Sequence, residues 1–517
     1  MEARGETFRP IRMLAAAAAF VLLIYVPLPA ETGADGSPLL TGPARRLLAV
    51  TAAMAVLWFT EAIPVAATAL LPVAAYPYLG IADSRAVAGP YINQLTFLFL
   101  GGMLLAAAIE IWDVHRRIAL EVMRRVGTSP RALTAGLMLV SAGLSMWISN
   151  TATSMLLLPI GLALLSQLGE LTPDLDKRQR TRLSVALLLA IAYGANVGGM
   201  ATPVGTPTNA ALLGFWDTAE QMPGPSPSVG EWFVVAAPFC GAMLLATTLV
   251  LTWRLPRGAA DVEAEFFRQR LEKLGPLSGG GRVVLARFAV TATAWMTRRP
   301  IALGDVTVWP GWEPAVVDGL RTLGIDADGF PHDSTVAILA AVLLFVVPGR
   351  TADGTRRPLL RWDEAESRLP WGVLLLFGSG FTIAAAFEST GLATWTGEVA
   401  RQALDGAPQM VVVGGSALVV TFLTEFTTNV ATISTLLPAL SAMSQSLQID
   451  PRLVCVPATL AASCAFMLPI ATPPNAVVYG SGKLPLGRMI ANGVLLNLLS
   501  VVLLTLIGGA MVRLTLL

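Results

Sequence analysis

The sequence predicts an all-α polytopic membrane protein built as an inverted repeat, and three observations carry that reading. Hydrophobic residues make up 54% of the 517-residue chain and charged residues only 13%, whereas soluble domains carry about 25% charged residues. Apolar runs recur from Met13 to Leu517, many near the roughly 20 residues that a spanning helix needs. The third observation is a polar motif that occurs twice. Ser145-Met146-Trp147-Ile148-Ser149-Asn150-Thr151-Ala152-Thr153 sets hydroxyls and an amide in an apolar region, and Thr424-Glu425-Phe426-Thr427-Thr428-Asn429-Val430-Ala431-Thr432 repeats their order. A bilayer offers such groups no partner, so they must meet each other, carbonyls, water or a solute.

The elements follow in order. Arg4, Arg9 and Arg12 precede the apolar run Met13 to Ala30, read as an uncleaved first helix, with a cleaved signal peptide as the alternative. Spans follow at Arg45 to Thr60, Ile63 to Leu79 and Leu95 to Ile111, then a basic patch containing His115, Arg116, Arg117, Arg124, Arg125 and Arg131. Residues 132–168 hold the first motif; too long and too polar for one span, they suit two half-helices in a re-entrant hairpin. A second basic patch (Lys177, Arg178, Arg180, Arg182) follows, and both patches then face the cytoplasm by the positive-inside rule. The span Leu183 to Phe215 is broken between Asn196 and Asn209, where glycines and prolines crowd. Glu231 to Trp253 returns to Arg254 and Arg257. The charged stretch from Asp261 to Gly281, with Glu263, reads as a cytoplasmic linker with a short surface helix.

In the second half, Val283 to Met296 leads to an outer acidic loop holding Asp305, Glu313, Asp318, Asp326, Asp328 and Asp333 against Arg321. Ser334 to Val347, Trp371 to Phe387, the second hairpin at 408–440, Leu453 to Tyr479 and Ile490 to Leu517 complete the chain. Leu453 to Tyr479 is broken at Ala471-Thr472-Pro473-Pro474-Asn475. Further landmarks repeat: Ala106-Ala107-Ala108-Ile109-Glu110 against Ala384-Ala385-Ala386-Phe387-Glu388, and Gly205-Thr206-Pro207-Thr208-Asn209 against Ala471 to Asn475. The chain therefore divides into an N-terminal segment 1–44, a first repeat 45–257, a linker 258–282 and a second repeat 283–517. The first hairpin opens inward and the second outward. Inverted repeats with broken helices mark secondary transporters.

Hairpin tips and broken spans expose helix N-termini suited to an anion, and carbonyls that with hydroxyls form an oxygen cage suited to Na⁺. Neither the tips nor the breaks carry Arg, Lys or His. Taken singly, Ser141, Thr153, Ser154, Ser434 and Thr435 read as hydroxyls bonding back to carbonyls or joining helices. Asn209 and Asn475 read equally as helix caps or site supports, whereas the duplication of Asn150 and Asn429 at hairpin tips points to binding. Glu110 and Glu388 read as solvated carboxylates at helix ends, and Glu425 lies nearer the motif. Trp58, Trp112 and Trp371 read as interfacial belt residues.

Other classes find little support. The net charge of +1 and the absence of a basic tail leave no nucleic-acid signal. Cys240, Cys455 and Cys464 lie in apolar stretches, and His115 and His332 stand apart in loop-like surroundings, so neither a disulfide framework nor a zinc site is indicated. There is no H-E-x-x-H and no histidine at membrane depth, which leaves an intramembrane enzyme without ligands or base. A channel would not need paired broken helices around one centre.

At these motifs the chain resembles the divalent anion/sodium symporter family, the dicarboxylate, citrate and sulfate transporters, along nearly its whole length. Leu274-Gly275-Pro276-Leu277-Ser278 and Pro370 to Gly378 add to the likeness. The resemblance implies about eleven transmembrane helices plus two re-entrant hairpins, a scaffold and a transport domain moving as an elevator, and a homodimer in the cell membrane with a cytoplasmic N-terminus. It implies Na⁺ as co-transported ion, no organic cofactor, and a small dicarboxylate or other divalent anion as substrate. One Na⁺ site would comprise Ser145, Ser149, Asn150 and Gly205, and a second Thr424, Thr427, Asn429 and Ala471. Substrate would meet Asn150, Thr151, Thr206, Thr428, Asn429, Val430, Thr472 and Pro473. Val430 departs from the family, which carries Thr there. Within the family a sodium-independent exchanger or a sulfate carrier is the alternative.

Overall fold

The computed structural model describes residues 10–28, 38–171, 176–220, 222–253, 255, 265–327 and 331–517. Arg4, Arg9, Ala30, Arg254, Arg257, Asp261, Glu263 and Asp328 lie outside the described residues. The structure is helical, with two short antiparallel hairpins, Ile301–Leu303 with Val306–Trp309 and Pro348–Arg350 with Arg356–Pro358. Among the described residues six helices are long and apolar enough to cross a membrane, or seven if the bent pair Leu392–Leu404 and Gln409–Leu423 counts as one span.

The chain forms two compact units that do not follow the repeats. The first gathers Met1–Thr96, Ala211–Ser226 and Pro370–Ala462, the second Phe97–Ala210, Pro227–Leu369 and Ser463–Leu517. In the first unit the expected span Ile63 to Leu79 is instead the short helices Val65–Thr68 and Leu71–Tyr78. Pro64, Pro72 and Pro77 interrupt it, because proline removes a helix donor and its ring clashes with the preceding turn. Side chains anchor the pieces: Trp58 Nε1 donates to Val65 O at 3.2 Å and Thr382 Oγ1 to Val87 O at 3.1 Å. A Cβ on Gly214 would lie 1.9 Å from the Phe381 ring, so only glycine admits that ring.

The second unit is organised around the helix Lys177–Gly199, in which every residue from 185 to 199 is buried. Gly194 and Gly198 face the helix Pro130–Ser145 so closely that a Cβ would come within 2.7 Å of Met138 O and 2.2 Å of Ala142 O. This is backbone-to-backbone packing by small residues four apart. It explains a departure from the sequence reading: the helix runs through Asn196 to Gly199 rather than breaking at Asn196, since close packing outweighs the intrinsic cost of glycine.

A further expectation is corrected. Trp58 and Trp112 are 1% and 8% exposed, with Trp112 Nε1 donating to Leu359 O at 2.7 Å, so they are interior anchors; Trp371 stays 45% exposed. The loop read as outer and acidic is organised by Arg298, which is 1% exposed. Its guanidinium meets Asp333 at 2.5 Å and 3.2 Å, Glu313 at 2.7 Å and Pro331 O at 3.1 Å. Asp333 also accepts from Val229 N at 3.0 Å.

Candidate functional site

The first tip lies between the helices Pro130–Ser145 and Asn150–Leu171. Ser149 Oγ accepts from Ala152 N at 3.2 Å, an N-cap that starts the second of these helices at Asn150. One atom of the Asn150 amide, placed as Oδ1, faces Ser145 Oγ at 2.5 Å and the carbonyls of Ala195 and Gly205 at 3.3 Å each. Two carbonyl oxygens and an amide oxygen cannot satisfy one another. Either Nδ2 turns to donate into this set, or a cation joins the oxygens. With Oδ1 facing inward the set is oxygen alone, the chemistry of a hard cation. Glycines make the approach possible: a Cβ on Gly199 would lie 2.5 Å from Asn150 Oδ1, and one on Gly205 2.6 Å from Gly199 O.

The broken span beside this tip ends at Gly199 and resumes as Pro207–Thr218. Side chains satisfy the carbonyls freed by the break, as buried backbone demands. Asn209 Nδ2 donates to Met200 O at 2.9 Å and Thr202 O at 2.8 Å, and Trp232 Nε1 reaches Met200 O at 3.1 Å. Thr202 Oγ1 donates to Met146 O at 2.5 Å and accepts from Gly205 N at 3.1 Å, which ties break to tip. Thr206, Thr208 and Ser463 form a chain of hydroxyls at 3.0 Å and 2.9 Å.

The later break is longer than the sequence suggested. The helix Arg452–Ala462 stops well before Ala471, and helix resumes only at Pro473–Tyr479. Tyr193 OH donates to Phe466 O at 2.6 Å, and Phe466 N donates to Asn497 Oδ1 at 3.2 Å. Asn475 Nδ2 donates to Ala465 O and Leu468 O at 3.0 Å each. Asn209 and Asn475 are thus clamps that span their own breaks. Thr472 caps the resumed helix, accepting from Asn475 N at 3.4 Å, and Asn196 Nδ2 donates to Thr472 Oγ1 at 3.0 Å. Pro473 is the first residue of that helix.

In the first unit, the tip between Gln409–Leu423 and Asn429–Ser446 repeats the pattern. Thr424 Oγ1 lies 2.9 Å from Asn429 Oδ1 and 3.0 Å from Ala462 O, so one proton faces two acceptors. Thr428 Oγ1 accepts from Ala431 N at 3.3 Å, the same cap as Ser149. Thr427 Oγ1 meets Thr432 Oγ1 rather than Asn429. Val430 and Glu425 are buried, at 8% and 0% exposure. Ala471 belongs to the second unit, 4% exposed.

The structure thus brings Ser145, Asn150 and Gly205 together, and Thr424 with Asn429. It gives Ser149 and Thr428 capping roles and leaves the Thr151 side chain half-buried. Ser141 donates to Ile191 O at 2.6 Å and Thr435 to Ala431 O at 2.8 Å, as read. The hydroxyls of Thr153, Ser154 and Ser434 differ: they are buried with no partner among the described residues. Sequence reasoning missed Ala195, Gly199, Thr202 and Ala462, three of which act through backbone atoms that residue type does not reveal. Asn196, an amide in an apolar span, was the one available signal. Elsewhere in the second unit, a cavity of about 540 Å³ is lined by Glu110, Trp112, Arg117, Arg357, Glu364 and Arg368, and holds none of the expected site residues.

Residues 9–516 match the family model described as the sodium:sulfate symporter transmembrane region. The chain belongs to the sodium:sulfate symporter family. It is a multi-pass membrane transporter and not an enzyme. The transporter is 35% identical over 470 residues to the sodium-dependent dicarboxylate transporter SdcS of Staphylococcus saprophyticus, covering 89% of this chain and 85% of that one. It is 35% identical over 472 residues to SdcS of Staphylococcus aureus, at 89% and 84% coverage. Among solved structures it shares its fold with Alcanivorax borkumensis YdaH, a transporter described as having an unusual topology. That match has a TM-score of 0.56 at 13% identity, covering 97% of this chain and 98% of that one. Neisseria gonorrhoeae MtrF, described with a class of antimetabolite efflux pumps, gives 0.53 at 14% identity, with 96% and 94% covered.

Proposed function

We propose that this transporter carries C4-dicarboxylates such as succinate, malate or fumarate across the membrane together with Na⁺. The observation that supports this most is the all-oxygen set at Ser145, Asn150, Ala195 and Gly205, whose like with Thr424, Asn429 and Ala462 recurs at the other tip. Sets of acceptors with too few protons are what a bound cation resolves, and unwound carbonyls near helix ends hold Na⁺ in transporters of this kind. The dicarboxylate specificity of the SdcS relatives supports the substrate class.

In this reading Na⁺ goes to the Asn150 set, and a second ion to Thr424 and Asn429. On the second unit Asn150, Thr151, Thr206, Thr472 and Pro473 contact substrate. On the first, Thr428, Asn429 and Val430 do so. Val430 offers methyls where a hydroxyl would donate, which costs about 1 kcal/mol of substrate binding unless another donor replaces it. The protein works as a homodimer, with a cytoplasmic N-terminus, repeats of opposite topology and an elevator movement.

Uptake into proteoliposomes tests the reading. An inward Na⁺ gradient should drive succinate accumulation, and Asn150→Ala and Asn429→Ala should each abolish it while the protein stays folded. Accumulation driven by internal dicarboxylate without Na⁺ would make it an exchanger instead. Competition by sulfate but not by succinate would move the substrate to an inorganic anion.

A further inference from the structure

We infer that Asn196 is a positioning residue that makes the Thr472 hydroxyl an obligate hydrogen-bond donor, so that this side of the site recognises an acceptor oxygen of the anion. The inference rests on the proposed function, which makes Thr472 a substrate contact.

A chain of forced assignments starts at two backbone carbonyls. Ala465 O and Leu468 O can only accept, and both lie 3.0 Å from one atom of the Asn475 amide, which is therefore Nδ2. The remaining atom, Asn475 Oδ1, can only accept, and the Asn196 amide atom 3.4 Å from it must be a donor. That atom, Asn196 Nδ2, is also 3.0 Å from Thr472 Oγ1 and donates to it. Thr472 Oγ1 accepts a second bond from Asn475 N at 3.4 Å.

A hydroxyl has two acceptor lone pairs and one proton. Both lone pairs of Thr472 are taken, and no described residue accepts its proton. The proton is left to donate outward. Thr472, Asn196 and Asn475 are 3%, 1% and 0% exposed, so the arrangement is shielded from bulk water. Asn196 keeps this orientation although its own Oδ1 is buried with no partner among the described residues.

The first break behaves differently. Thr206, at the place equivalent to Thr472, meets Thr208 and through it Ser463, and in that chain either hydroxyl of each pair can be the donor. Thr208 corresponds to Pro474 and Asn196 to Ala462 in the repeat. One break therefore carries a reversible hydroxyl and the other a fixed donor. A fixed donor pairs with an acceptor oxygen of the substrate and, unlike the reversible hydroxyl, offers nothing to accept a substrate O–H.

The test is a double-mutant cycle on the full-length protein in proteoliposomes, with succinate, or with sulfate if the wild type prefers it. Asn196→Asp replaces the donor with an acceptor, so the Thr472 proton turns towards position 196. The KM should rise roughly 10-fold or more with kcat nearly unchanged, the pattern of lost uniform binding. Thr472→Val should do the same, and Asn196→Asp added to Thr472→Val should cost little more. Should Asn196→Asp misfold, Asn196→Ala with Thr472→Val gives the same cycle, read by anion-dependent thermal protection. Multiplying losses, or a wild-type KM in Asn196→Asp, would overturn the inference. A wild type that transports no divalent anion would overturn the proposed function instead.

Discussion

Asp113 and Gly391, 278 positions apart as are Ala106 and Ala384 of the repeated Ala-Ala-Ala motif, both hold a left-handed backbone conformation, with φ of 52° and 79°. Each joins an apolar helix, Gln94–Ile111 or Trp371–Ser389, to a helix that buries one face, Val114–Val126 or Leu392–Leu404. The duplication extends to a backbone angle that neither residue type nor hydropathy reports. Left-handed geometry crowds the Cβ of an L-residue and costs roughly 1–2 kcal/mol. Asp113→Gly should therefore leave thermal stability equal or higher by up to about 1 kcal/mol, and Gly391→Val should lower it by about 1–2 kcal/mol. Melting of the purified protein in detergent checks both; a stabilised Gly391→Val would contradict the account.

Gly199 and Gly205 are expected to be as sensitive as the asparagine they surround. An added methyl at Gly199 meets Asn150 Oδ1, a proposed Na⁺ ligand, at 2.5 Å, and one at Gly205, whose own carbonyl is a proposed ligand, meets Gly199 O at 2.6 Å. Gly199→Ala and Gly205→Ala should remove the Na⁺-dependent rise in melting temperature and cut uptake at least about 10-fold, because a misplacement near 1 Å is enough to lose such an arrangement. Gly143→Ala, in the helix leading to the tip with no atom within 4 Å of the added Cβ, should behave as wild type. Equal Na⁺ responses in all three would break the link between these glycines and the ion.

Arg298 should be among the most sensitive positions outside the tips. Its loss strands the buried Asp333, whose side chain is 3% exposed, and leaves the nearly buried Glu313, 14% exposed, with Arg299 at 3.8 Å. Breaking a buried pair by removing one partner costs about 3–5 kcal/mol, so Arg298→Ala should give poor yield and a sharply lowered melting temperature. Arg298→Lys should recover part of it, since an ammonium keeps the charge but loses the fork that spans Asp333. A melting temperature unchanged in Arg298→Ala would refute the assignment.

His115 sets an acid limit. Burial pushes its imidazole below the ordinary value of 6.5, against the pull of the Ile109 carbonyl and Asp113, while Arg116 pushes the same way as burial. The unfolded chain therefore takes up the proton at a higher pH than the folded one. Stability from this group is complete above about pH 6.5 and is lost as pH falls through that value towards the folded pKa. A melting series from neutral to acid pH should show a steeper decline below about 6.5 in wild type than in His115→Gln, and parallel curves would refute the claim.

Composition and a repeated string of residues were enough to read class, family and the residues of both tips. A bilayer makes polar residues costly, so those retained in apolar runs mark positions with work to do. Asn150, Asn429, Thr424 and Ser145 were legible for that reason. The caps at Ser149 and Thr428 are local, spanning three residues, and were within reach of the same reading.

What tertiary structure alone decided lies between residues far apart. Asn196 meets Thr472 across 276 positions, and Tyr193 meets Phe466 across 273. The helix ran on through Gly199 because a neighbouring backbone packs against Gly194 and Gly198, and the later break lengthened because Tyr193, Asn475 and Asn497 satisfy its backbone. Local propensity weighs glycine, proline and hydroxyls against water. In a buried site those weights change with whatever side chain the rest of the fold brings to each freed carbonyl. The amino-acid order by itself therefore determined where polar groups had to be satisfied, and only the folded chain decided by which partner and in which donor direction.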